Sequence, residues 1–469
     1  RATYVEIMAV TAGTPGDGGG KPLLYRFYPG ANMTNDFNIV PNYHYTLPII
    51  FHTAGAEGDS RVENLGQVQL AESNSYIINP LTGNVQATYG VPVFRINRFW
   101  GSVDGTGYTA ITPTTEWEAE VIWQDKAGES LINFCESNGT VIDAGKYAGT
   151  GENNFYFSPA GPAASGNVLI GVKKKGTTEY LWSWHLWLTN YNPNAAPSAW
   201  QEDVYSYAVP GGAVHRYANG TGTTWSTHYT DKFIMDRNFG AASAMRADGL
   251  AKTRGLYYQF GRKEPFPAAS ASLYDVRGAI LPRNDYAPNG TDCIVRVPGQ
   301  TAIKTAVQHP HNFYYPGNSD WVQSNLYSGN SWNNPEWYTS VPKAGKSLFD
   351  PCPPGWRLPV EGTWNTFALP GTNTPNAANY PGDYKDSQVQ AGWEFYMSGS
   401  SGKTAFYAAS GFRTSSTGAM IHERAINYTW ASTPNNSTQG CSLHFYTNGA
   451  YPRYAAYRGD GHPVRCVQE

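Results

Sequence analysis

The sequence predicts a multidomain protein that is mainly β, and three observations support this prediction. The chain has 469 residues, which at about 150 residues per domain corresponds to roughly three domains. It contains 15 Trp, 33 Tyr and 19 Phe, whereas only 15% of its residues are charged. Short alternating apolar runs between many of the 50 Gly and 32 Pro are typical of strands joined by long loops.

The charge balance argues against two classes of partner. Lys plus Arg number 33 and Asp plus Glu 36, so the formal net charge is −3 and we expect no nucleic-acid partner. No run of about 18 apolar residues occurs, so we expect no transmembrane segment. No signal peptide is visible, and the start within the strand-like run "RATYVEIMAV" indicates a mature or trimmed fragment. Abundant Tyr, Asn, Ser, Gly and Thr favour a secreted protein over a cytosolic enzyme.

Residues 1–62 contain two predicted strands, "LLYRFY" and "YHYTLPIIF", on either side of a turn rich in Gly, Asn and Pro. Two or three strands bury too little apolar surface to fold alone. This segment therefore leans on a neighbour or is the remainder of a larger sandwich. We predict a sheet with an unpaired edge, or one completed by a strand from another chain.

Residues 63–205 are predicted to form a β-sandwich, because strand-like runs recur with turn residues between them. These runs are "NSYIINP", "VPVFRINRFW", "WEAEVIWQD", "SLINFC", "NVLIGVKK" and "YLWSWHLWLTN". The last run is largely apolar on both faces, with Trp182, Trp184, Leu186 and Leu188 on one and Leu181, Ser183, His185 and Trp187 on the other. That strand should therefore be buried on both sides.

Residues 206–469 have a different character, with short apolar runs separated by long loops. Two stretches could be helical, one near "TRGLYYQFGR" and one in "VEGTWNTFAL". The connection 267–348 shows no strong period, and loops of that length in compact domains are usually functional.

Two of the five cysteines lie beside proline-rich segments, Cys352 in "DPCPPGWRLP" and Cys466 in "GHPVRCVQE". Their spacing leaves open a disulfide or two buried free thiols. A disulfide would close a loop of about 114 residues and stabilise the fold by roughly 4 to 5 kcal/mol in the chain-entropy model. The first two predicted domains lie outside that loop. We expect Trp356 to pack under the same corner, and Cys135 and Cys293 to be buried thiols.

Six motifs in residues 233–469 occur in the order found in one family of Bacteroidetes surface domains. They are "FIMDRNFGA", "GLYYQFGRKEPFP", "DPCPPGWRLP", "YAASGFR", "YTWASTP" and "GHPVRCVQE". The region resembles the Fibrobacter succinogenes major paralogous domain, a C-type-lectin-like fold related to the formylglycine-generating enzyme domain. The segment "YRFYPGANMTNDFNIVPNYHYTL" resembles the last strands of a fimbrillin-type pilin domain, and the strands between resemble the β-sandwich that precedes the lectin-like domain in such proteins.

The resemblance implies β-sandwich modules followed by an α+β C-type-lectin-like domain, with domains at 1–62, 63–205 and 206–469. It implies a Cys352–Cys466 disulfide. It also implies an exported fimbrial tip adhesin at the cell surface or outer membrane, joined to other pilin subunits by strand exchange and binding surface glycan or protein. A secreted polysaccharide-binding protein of a glycan-uptake system is the alternative. An enzyme on the formylglycine-generating scaffold would need a reactive thiol pair, so we expect no enzyme and no cofactor.

Aromatic residues and amides crowd the loop "HNFYYPGNSDWVQSNLYSGNSWNNPEWY". Rigid rings give contact area at low entropy cost and amides give adaptable hydrogen bonds, a mixture that suits sugars. We predict ligand-binding residues Tyr315, Trp321, Trp332, Trp337 and Tyr338. The alternative is a loop layer packed by its own rings, without a ligand.

Other motifs are weaker. His309 and His311 provide too few ligands for a structural zinc site, so a polar loop is favoured over a metal site. Arg458-Gly459-Asp460 spells an integrin-binding tripeptide, but a turn is the expected role of Gly459. Trp430 lies in "YTWASTPNN", where lectins of this fold place calcium ligands, yet no carboxylate follows it in that run. We therefore predict no calcium-dependent sugar site there.

Overall fold

The computed structural model describes most of the chain from residue 67 onwards and a few strands before it. The described residues are 5–10, 22–27, 62–64, 67–80, 87–103, 109–142, 145–193, 204–205, 216–218, 225–227, 234–268, 272–279, 281, 294–323, 346–360, 363–364, 367–368, 392–396, 404–446 and 449–469. None of the helices in this part of the chain is long and apolar enough to cross a membrane.

The amino-terminal residues form a three-stranded antiparallel sheet of β1 (Val5–Val10), β2 (Pro22–Phe27) and β3 (Val62–Asn64), in that order. The predicted strand "LLYRFY" coincides with β2, whereas "YHYTLPIIF" lies outside the described residues. Among described residues β1 pairs with β2 alone, so its second edge has no strand partner in that part of the chain. Because β3 begins at Val62, the sheet reaches just past the predicted boundary.

Residues 67–188 form the predicted β-sandwich. Its strands are β4 (Gln67–Gln69), β5 (Ser75–Ile78), β6 (Thr88–Val91), β7 (Glu116–Gln124), β8 (Ile132–Phe134), β9 (Lys146–Thr150), β10 (Phe155–Pro159), β11 (Gly166–Lys174) and β12 (Tyr180–Leu188). One sheet has the order β4-β6-β10-β8 and the other β5-β12-β11-β7-β9. Inward-facing side chains of both sheets share one apolar core, which includes Phe134, Phe157, Ile170 and Trp184.

The run "VPVFRINRFW" was predicted as a strand, and that prediction is wrong. It ends β6 and then forms helix α1 (Arg95–Val103). The apolar residues Ile96, Phe99 and Trp100 recur at spacings of three and four, which place them on one helical face, and all are buried in the sandwich core. The helical period therefore decides the structure here over the β-branched residues.

The strand β12 is buried on both sides, as its sequence predicts. Trp182, Trp184, Leu186 and Leu188 lie in the sandwich core. On the opposite face, the rings of His185 and Trp187 pack edge-on against Phe239, at centroid distances of 5.2 and 5.4 Å. Because Phe239 belongs to the carboxyl-terminal part of the chain, β12 is the surface on which the two domains meet.

The carboxyl-terminal part is built of many short strands and little helix. Its strands are β13 (Val204–Tyr205), β14 (Arg216–Ala218), β15 (Trp225–Thr227), β16 (Ile234–Met235), β17 (Tyr257–Gln259), β18 (Val295–Pro298), β19 (Asn312–Tyr315), β20 (Trp356–Arg357), β21 (Gly392–Tyr396), β22 (Thr404–Ala408), β23 (Phe412–Arg413), β24 (Met420–Ile421), β25 (Asn427–Pro434), β26 (Gln439–Tyr446), β27 (Gly449–Tyr457), β28 (Gly461–Pro463) and β29 (Val467–Gln468). Its helices are α2 (Leu250–Thr253) and α3 (Ile303–Gln308), with a 3-10 turn at Arg246–Asp248.

Three sheets organise the terminal domain, with orders β13-β16-β29-β20, β17-β28-β23-β24 and β25-β26-β27. The last strand, β29, lies between β16 and β20, so the end of the chain is interior to its sheet. Pairing of β13 with β16 joins residues 204–205 to this domain, two residues before the predicted start at 206. The pairs β14-β15, β18-β19 and β21-β22 complete the described strands.

Two predictions about this domain need correction. The run "TRGLYYQFGR" was expected to be helical, but α2 ends at Thr253 and the run continues as β17, whose residues are all buried. The connection 267–348 was expected to lack regular structure, yet it contains β18, α3 and β19. The second proposed helix, "VEGTWNTFAL", lies only partly within the described residues.

The predicted disulfide between Cys352 and Cys466 is present, with the two Cα atoms 6.0 Å apart. Trp356 is buried in the same core cluster as both cysteines, as expected. The buried carboxylate of Asp350 holds the corner, accepting hydrogen bonds from the backbone N–H groups of Cys352 at 2.8 Å and Leu358 at 2.9 Å. Cys135 and Cys441 are both buried, and Cys293 lies outside the described residues.

Buried charges join the sandwich to the terminal domain. In the "GRKEPFP" motif, Arg262, Lys263 and Glu264 are each at most 2% exposed. The Nζ of Lys263 donates to the carbonyl oxygen and the Oγ of Ser183 on β12, and it lies 2.7 Å from Oε1 of Glu264. Burial lowers the pKa of Lys263 to about 8, while the Glu264 carboxylate opposes this shift. Each charge is therefore compensated by a partner within the interface.

A second set of polar contacts ties the sandwich to the disulfide corner. The Nδ2 of Asn74 donates to the carbonyl oxygens of Leu348 and Asp350, both at 2.8 Å. Arg95 at the start of α1 donates to Asn74 Oδ1 and to the Leu348 carbonyl oxygen, and it pairs with Glu72 at 2.7 Å. These bonds connect segments more than 250 residues apart in the sequence.

Candidate ligand-binding face

The three-stranded meander β25-β26-β27 places opposite kinds of side chain on its two faces. Leu443, Phe445 and Ala450 point into the core of the terminal domain. Side chains alternate along strands, so the other face carries the residues between them. We define the aromatic face as Tyr428, His444, Tyr446, Tyr451 and Tyr454.

Cross-strand pairing brings these rings together. Tyr428 lies opposite His444, and His444 lies opposite Tyr451. The ring centroids of His444 and Tyr428 are 4.2 Å apart with the planes nearly parallel, and the Tyr454 ring is 4.7 Å from His444. The hydroxyls of Tyr446 and Tyr451 are 2.9 Å apart and hydrogen-bonded. Cross-strand aromatic pairs of this kind stabilise a sheet and hold each ring in place.

A stack of three rings packs Tyr428 of the aromatic face against the core. Fully buried Trp430 stacks on His462 with centroids 4.0 Å apart, and His462 stacks on Tyr428 at 4.7 Å. The indole N–H of Trp430 donates to the Tyr258 carbonyl oxygen at 2.8 Å, which anchors the stack in the neighbouring sheet. Because Trp430 and His462 are fully buried, the Tyr428 ring stacked on them has little freedom to reorient.

The four tyrosines of the aromatic face are partly accessible to solvent. Tyr454 is 37% exposed, and Tyr428, Tyr446 and Tyr451 are each half-buried. Each of these tyrosines therefore presents part of its side chain to solvent. His444 is 7% exposed and donates from Nδ1 to the Asn427 carbonyl oxygen at 2.9 Å, so its Nε2 is the unprotonated acceptor nitrogen.

The aromatic face is uncharged at neutral pH. Burial lowers the pKa of His444 to about 4, although its bond to the Asn427 carbonyl opposes the shift. Burial raises the pKa of Tyr428, and the hydrogen bond between the Tyr446 and Tyr451 hydroxyls raises the pKa of Tyr451. His444 is therefore neutral, and Tyr428 and Tyr451 are protonated.

A strained turn forms one border of this face. His422 and Arg424 have φ angles of 57° and 68°, a left-handed conformation that non-glycine residues rarely adopt. The turn sets the exposed His422 ring against Phe412 at 6.0 Å, and Phe412 packs edge-on against Tyr428 at 4.9 Å. An ion pair of 2.6 Å between Arg254 and Glu423 holds the turn.

The structure describes only two of the five residues predicted to bind a ligand. Tyr315 is half-buried and packs beside the cluster of Phe266 and Phe313. Trp321 is 1% exposed, and its indole N–H donates to the Phe260 carbonyl oxygen at 2.7 Å. Its ring is enclosed by the core and is not offered to a ligand. The other three, Trp332, Trp337 and Tyr338, lie outside the described residues.

The tripeptide Arg458-Gly459-Asp460 is an internal part of the fold. Arg458 is 1% exposed and pairs with Asp320 at 3.1 Å. The Asp460 carboxylate, 6% exposed, accepts a hydrogen bond from the backbone N–H of Ser415. Burial raises the pKa of Asp460 to about 6. Both charged groups are thus engaged within the domain, in agreement with the structural role favoured from the sequence.

No group of three potential metal ligands occurs within the part of the chain that the structure describes. His309 and His311 flank the turn between α3 and β19, with ring centroids 6.4 Å apart. Strand β25, which contains Trp430, has no carboxylate among its residues. The Trp430 ring is fully buried.

Sequence reasoning missed the aromatic face. Part of the signal is present, because Tyr428 and Trp430 in "NYTWASTP" and His444 and Tyr446 in "QGCSLHFY" are each two residues apart, whereas the tyrosines of "GAYPRYAAY" recur every three residues. The register that places Tyr428, His444 and Tyr451 in one row includes bulges in both ladders, which spacing alone does not reveal.

Comparison with known proteins gives one match. The family model described as "Domain of unknown function (DUF4906)" matches residues 1–49. No curated protein matches the chain, and no solved structure matches it. By its fold, the chain is a multidomain, mainly β protein.

Proposed function

We propose that this protein is a non-enzymatic cell-surface adhesin, a subunit at the tip of a fimbria, whose C-type-lectin-like terminal domain binds surface glycan or protein. The observation that carries the proposal is the aromatic face. It is rigidly supported, partly exposed and uncharged, and tyrosine rings of this kind are efficient recognition elements because they lose little entropy on binding.

The amino-terminal end supports the role in assembly. The match to a domain of unknown function falls on residues 1–49, the same residues whose sequence resembles a fimbrillin-type pilin. Strands β1 and β2 lie in that segment, and β1 has one edge without a strand partner among the described residues. An open edge is the surface that strand exchange with another pilin subunit requires.

The domain contacts support a mechanical role. Lys263 and Glu264 on one side and Ser183 on the other are buried between the sandwich and the terminal domain. Such an interface lets the two domains move as one body, so a pull on the assembly end reaches the binding end without unfolding a linker. An adhesin under load benefits from that arrangement.

The cysteine chemistry favours a non-enzymatic role over the formylglycine-generating alternative. Cys466 is bonded to Cys352 and so is not available as a reactive thiol. Cys441, the other cysteine near the terminal strands, is buried in the core of the terminal domain. A reactive thiol pair would require an accessible thiolate beside a second thiol.

Immunogold electron microscopy with antibodies against the whole chain tests location on the source bacterium. We expect gold particles at the ends of fimbriae. Gold spread over the outer membrane, without fimbriae, would support the polysaccharide-uptake alternative, and gold confined to the cell interior would contradict both.

Adhesion is tested separately with beads coated with the whole chain. Beads carrying the double variant Tyr451→Ala/Tyr454→Ala should adhere less than wild-type beads to host or bacterial cells. Equal adhesion would show that the aromatic face is not the binding surface.

A further inference from the structure

The aromatic face is too small for a stable protein interface. Adjacent strands lie about 4.8 Å apart and residues along a strand about 3.3 Å apart, so the area between β25 and β27 from Ser442 to Tyr446 is roughly 10 by 13 Å. Standard protein–protein interfaces bury about 800 Å² on each partner. The described face is several times smaller, and it matches the footprint of a short oligosaccharide.

The chemistry of the face is that of a sugar-binding platform. The rings of Tyr451 and Tyr454 stand nearly perpendicular with their centroids 5.8 Å apart, so the more exposed Tyr454 ring offers the apolar face on which the C–H groups of a pyranose can pack. The Tyr446 and Tyr451 hydroxyls are hydrogen-bonded to each other, so one of them keeps its proton free to donate and both keep acceptor lone pairs.

The same residues disfavour charged ligands. An anionic glycan needs Arg or Lys to pair with its carboxylates or sulfates, and none of the five residues of the aromatic face is cationic.

We propose that the aromatic face binds uncharged pyranose glycans by ring stacking on Tyr454, with the paired hydroxyls of Tyr446 and Tyr451 hydrogen-bonding the sugar hydroxyls. This inference rests on the proposed function, since it names the ligand class of the same site. The glycan lies across β26 and β27 and contacts no metal ion.

Affinity electrophoresis of the whole chain tests the ligand class. Native gels contain laminarin, mannan, galactomannan or dextran as neutral polysaccharides, and heparin or polysialic acid as anionic ones. We expect at least one neutral polysaccharide to retard the wild type. Retardation by the anionic polysaccharides alone, or by none of the six, overturns the proposal.

Two variants with matched exposure test the site. Tyr454 and Phe94 are each 37% exposed, but Phe94 lies in the sandwich domain. Tyr454→Ala should weaken binding to the retarding polysaccharide by roughly tenfold or more, whereas Phe94→Ala should bind like the wild type. Equal loss in both variants, or in neither, assigns the binding to another surface and overturns the proposal.

A gentler variant separates stacking from folding. Tyr454→Phe keeps the ring and removes only the hydroxyl, so it should retain most of the affinity that Tyr454→Ala loses. The two levels of proposal fail differently. If Tyr451→Ala/Tyr454→Ala beads lose adhesion while no neutral polysaccharide retards the wild type, the face binds another ligand class and the adhesin function stands. If neutral polysaccharides bind the face but adhesion is unchanged, the adhesin function fails.

Discussion

Lys263 and Ser183 are 80 residues apart in the sequence, yet the Nζ of Lys263 lies 2.7 Å from Oγ and 2.8 Å from the carbonyl oxygen of Ser183. The contact joins the "GRKEPFP" motif of the terminal domain to the outer face of β12. The ammonium group also lies 4.2 Å from the ring centroid of Trp182. One lysine thus links both domains through hydrogen bonds, an ion pair with Glu264 and a cation–π contact.

Removing this charge should destabilise the protein strongly. Lys263→Met keeps the length of the side chain but leaves Glu264 with less compensation and two Ser183 oxygens without a donor. Breaking a buried pair in this way costs about 3 to 5 kcal/mol, measured as a lower free energy of unfolding in urea. The control is Lys175→Met, which removes a pair with Glu116 that is more than half exposed on both sides. It should change stability by less than about 1 kcal/mol, and similar losses in the two variants would contradict the role of burial.

Loss of the disulfide should also be costly. Cys352→Ser opens a loop of 114 residues, and we expect the free energy of unfolding to fall by about 2 to 5 kcal/mol. A reducing phosphine should lower the wild type to the same stability and leave the variant unchanged. If reduction leaves the wild-type unfolding curve in place, the bond does not support the native state.

The structure changes which domains should be affected by loss of the disulfide. From the sequence, the sandwich lies outside the closed loop and should be indifferent to the bond. The disulfide, however, packs in one core with Leu169 and Trp187 of the sandwich. We therefore expect the near-ultraviolet circular dichroism that arises from the sandwich tryptophans to change when Cys352 is replaced. Unaltered sandwich signals would show that the two domains unfold independently.

The sequence predicts alternation well and long-range register poorly. The two faces of β12 follow from the residues themselves, since each position points the opposite way from its neighbours. The sequence predicts a strand in place of helix α1 because "VPVF", just before the helix, has the β-branched residues typical of strands. The burial of Ile96 and Phe99 depends on contacts with sandwich strands that are distant in the sequence. The aromatic face depends on bulged pairing among three strands. The contact between the two domains depends on residues that are 80 or more positions apart in the sequence.

A single added methyl group should disturb the core of the terminal domain at Gly440. A Cβ there would lie 2.3 Å from two atoms of the Phe260 ring, which is itself held edge-on against Trp430 at 5.2 Å. We expect Gly440→Ala to lower the free energy of unfolding by about 1 to 3 kcal/mol through overpacking. Gly161→Ala is the control, because its Cβ would meet no atom within 4 Å. Equal melting temperatures for both variants would mean that Phe260 can move aside.

Acid should weaken the protein through His185. This buried ring donates one hydrogen bond from Nε2 to Asn167 Oδ1 at 2.9 Å, and burial lowers its pKa to about 3. Between that value and the ordinary pKa near 6.5, the unfolded chain binds a proton that the folded chain does not. The stabilising contribution is therefore complete above about pH 6.5 and is lost as pH falls, amounting to about 2 kcal/mol between pH 7 and pH 5.

Urea unfolding at those two pH values measures this term. The wild type should lose about 2 kcal/mol more than His185→Gln between pH 7 and pH 5, because glutamine does not titrate. His422→Gln, at an exposed position, serves as the matched substitution and should follow the wild type. Parallel losses in wild type and His185→Gln would mean that the unfolded state does not protonate this site preferentially.

Calcium should leave the stability of the terminal domain unchanged. A ligand that binds only the folded state raises the free energy of unfolding by RT ln(1 + [L]/Kd), which is about 2.7 kcal/mol at a hundredfold excess over Kd. A lectin-type calcium site filled at millimolar calcium would therefore raise the melting temperature by several degrees relative to EDTA. Trp430 is enclosed between strands and β25 carries no carboxylate, so this strand provides no such ligands. Equal melting temperatures in EDTA and in calcium are expected. A calcium-specific rise that magnesium does not reproduce would place a cation site in the terminal domain and add a metal to the sugar-binding chemistry proposed for the aromatic face.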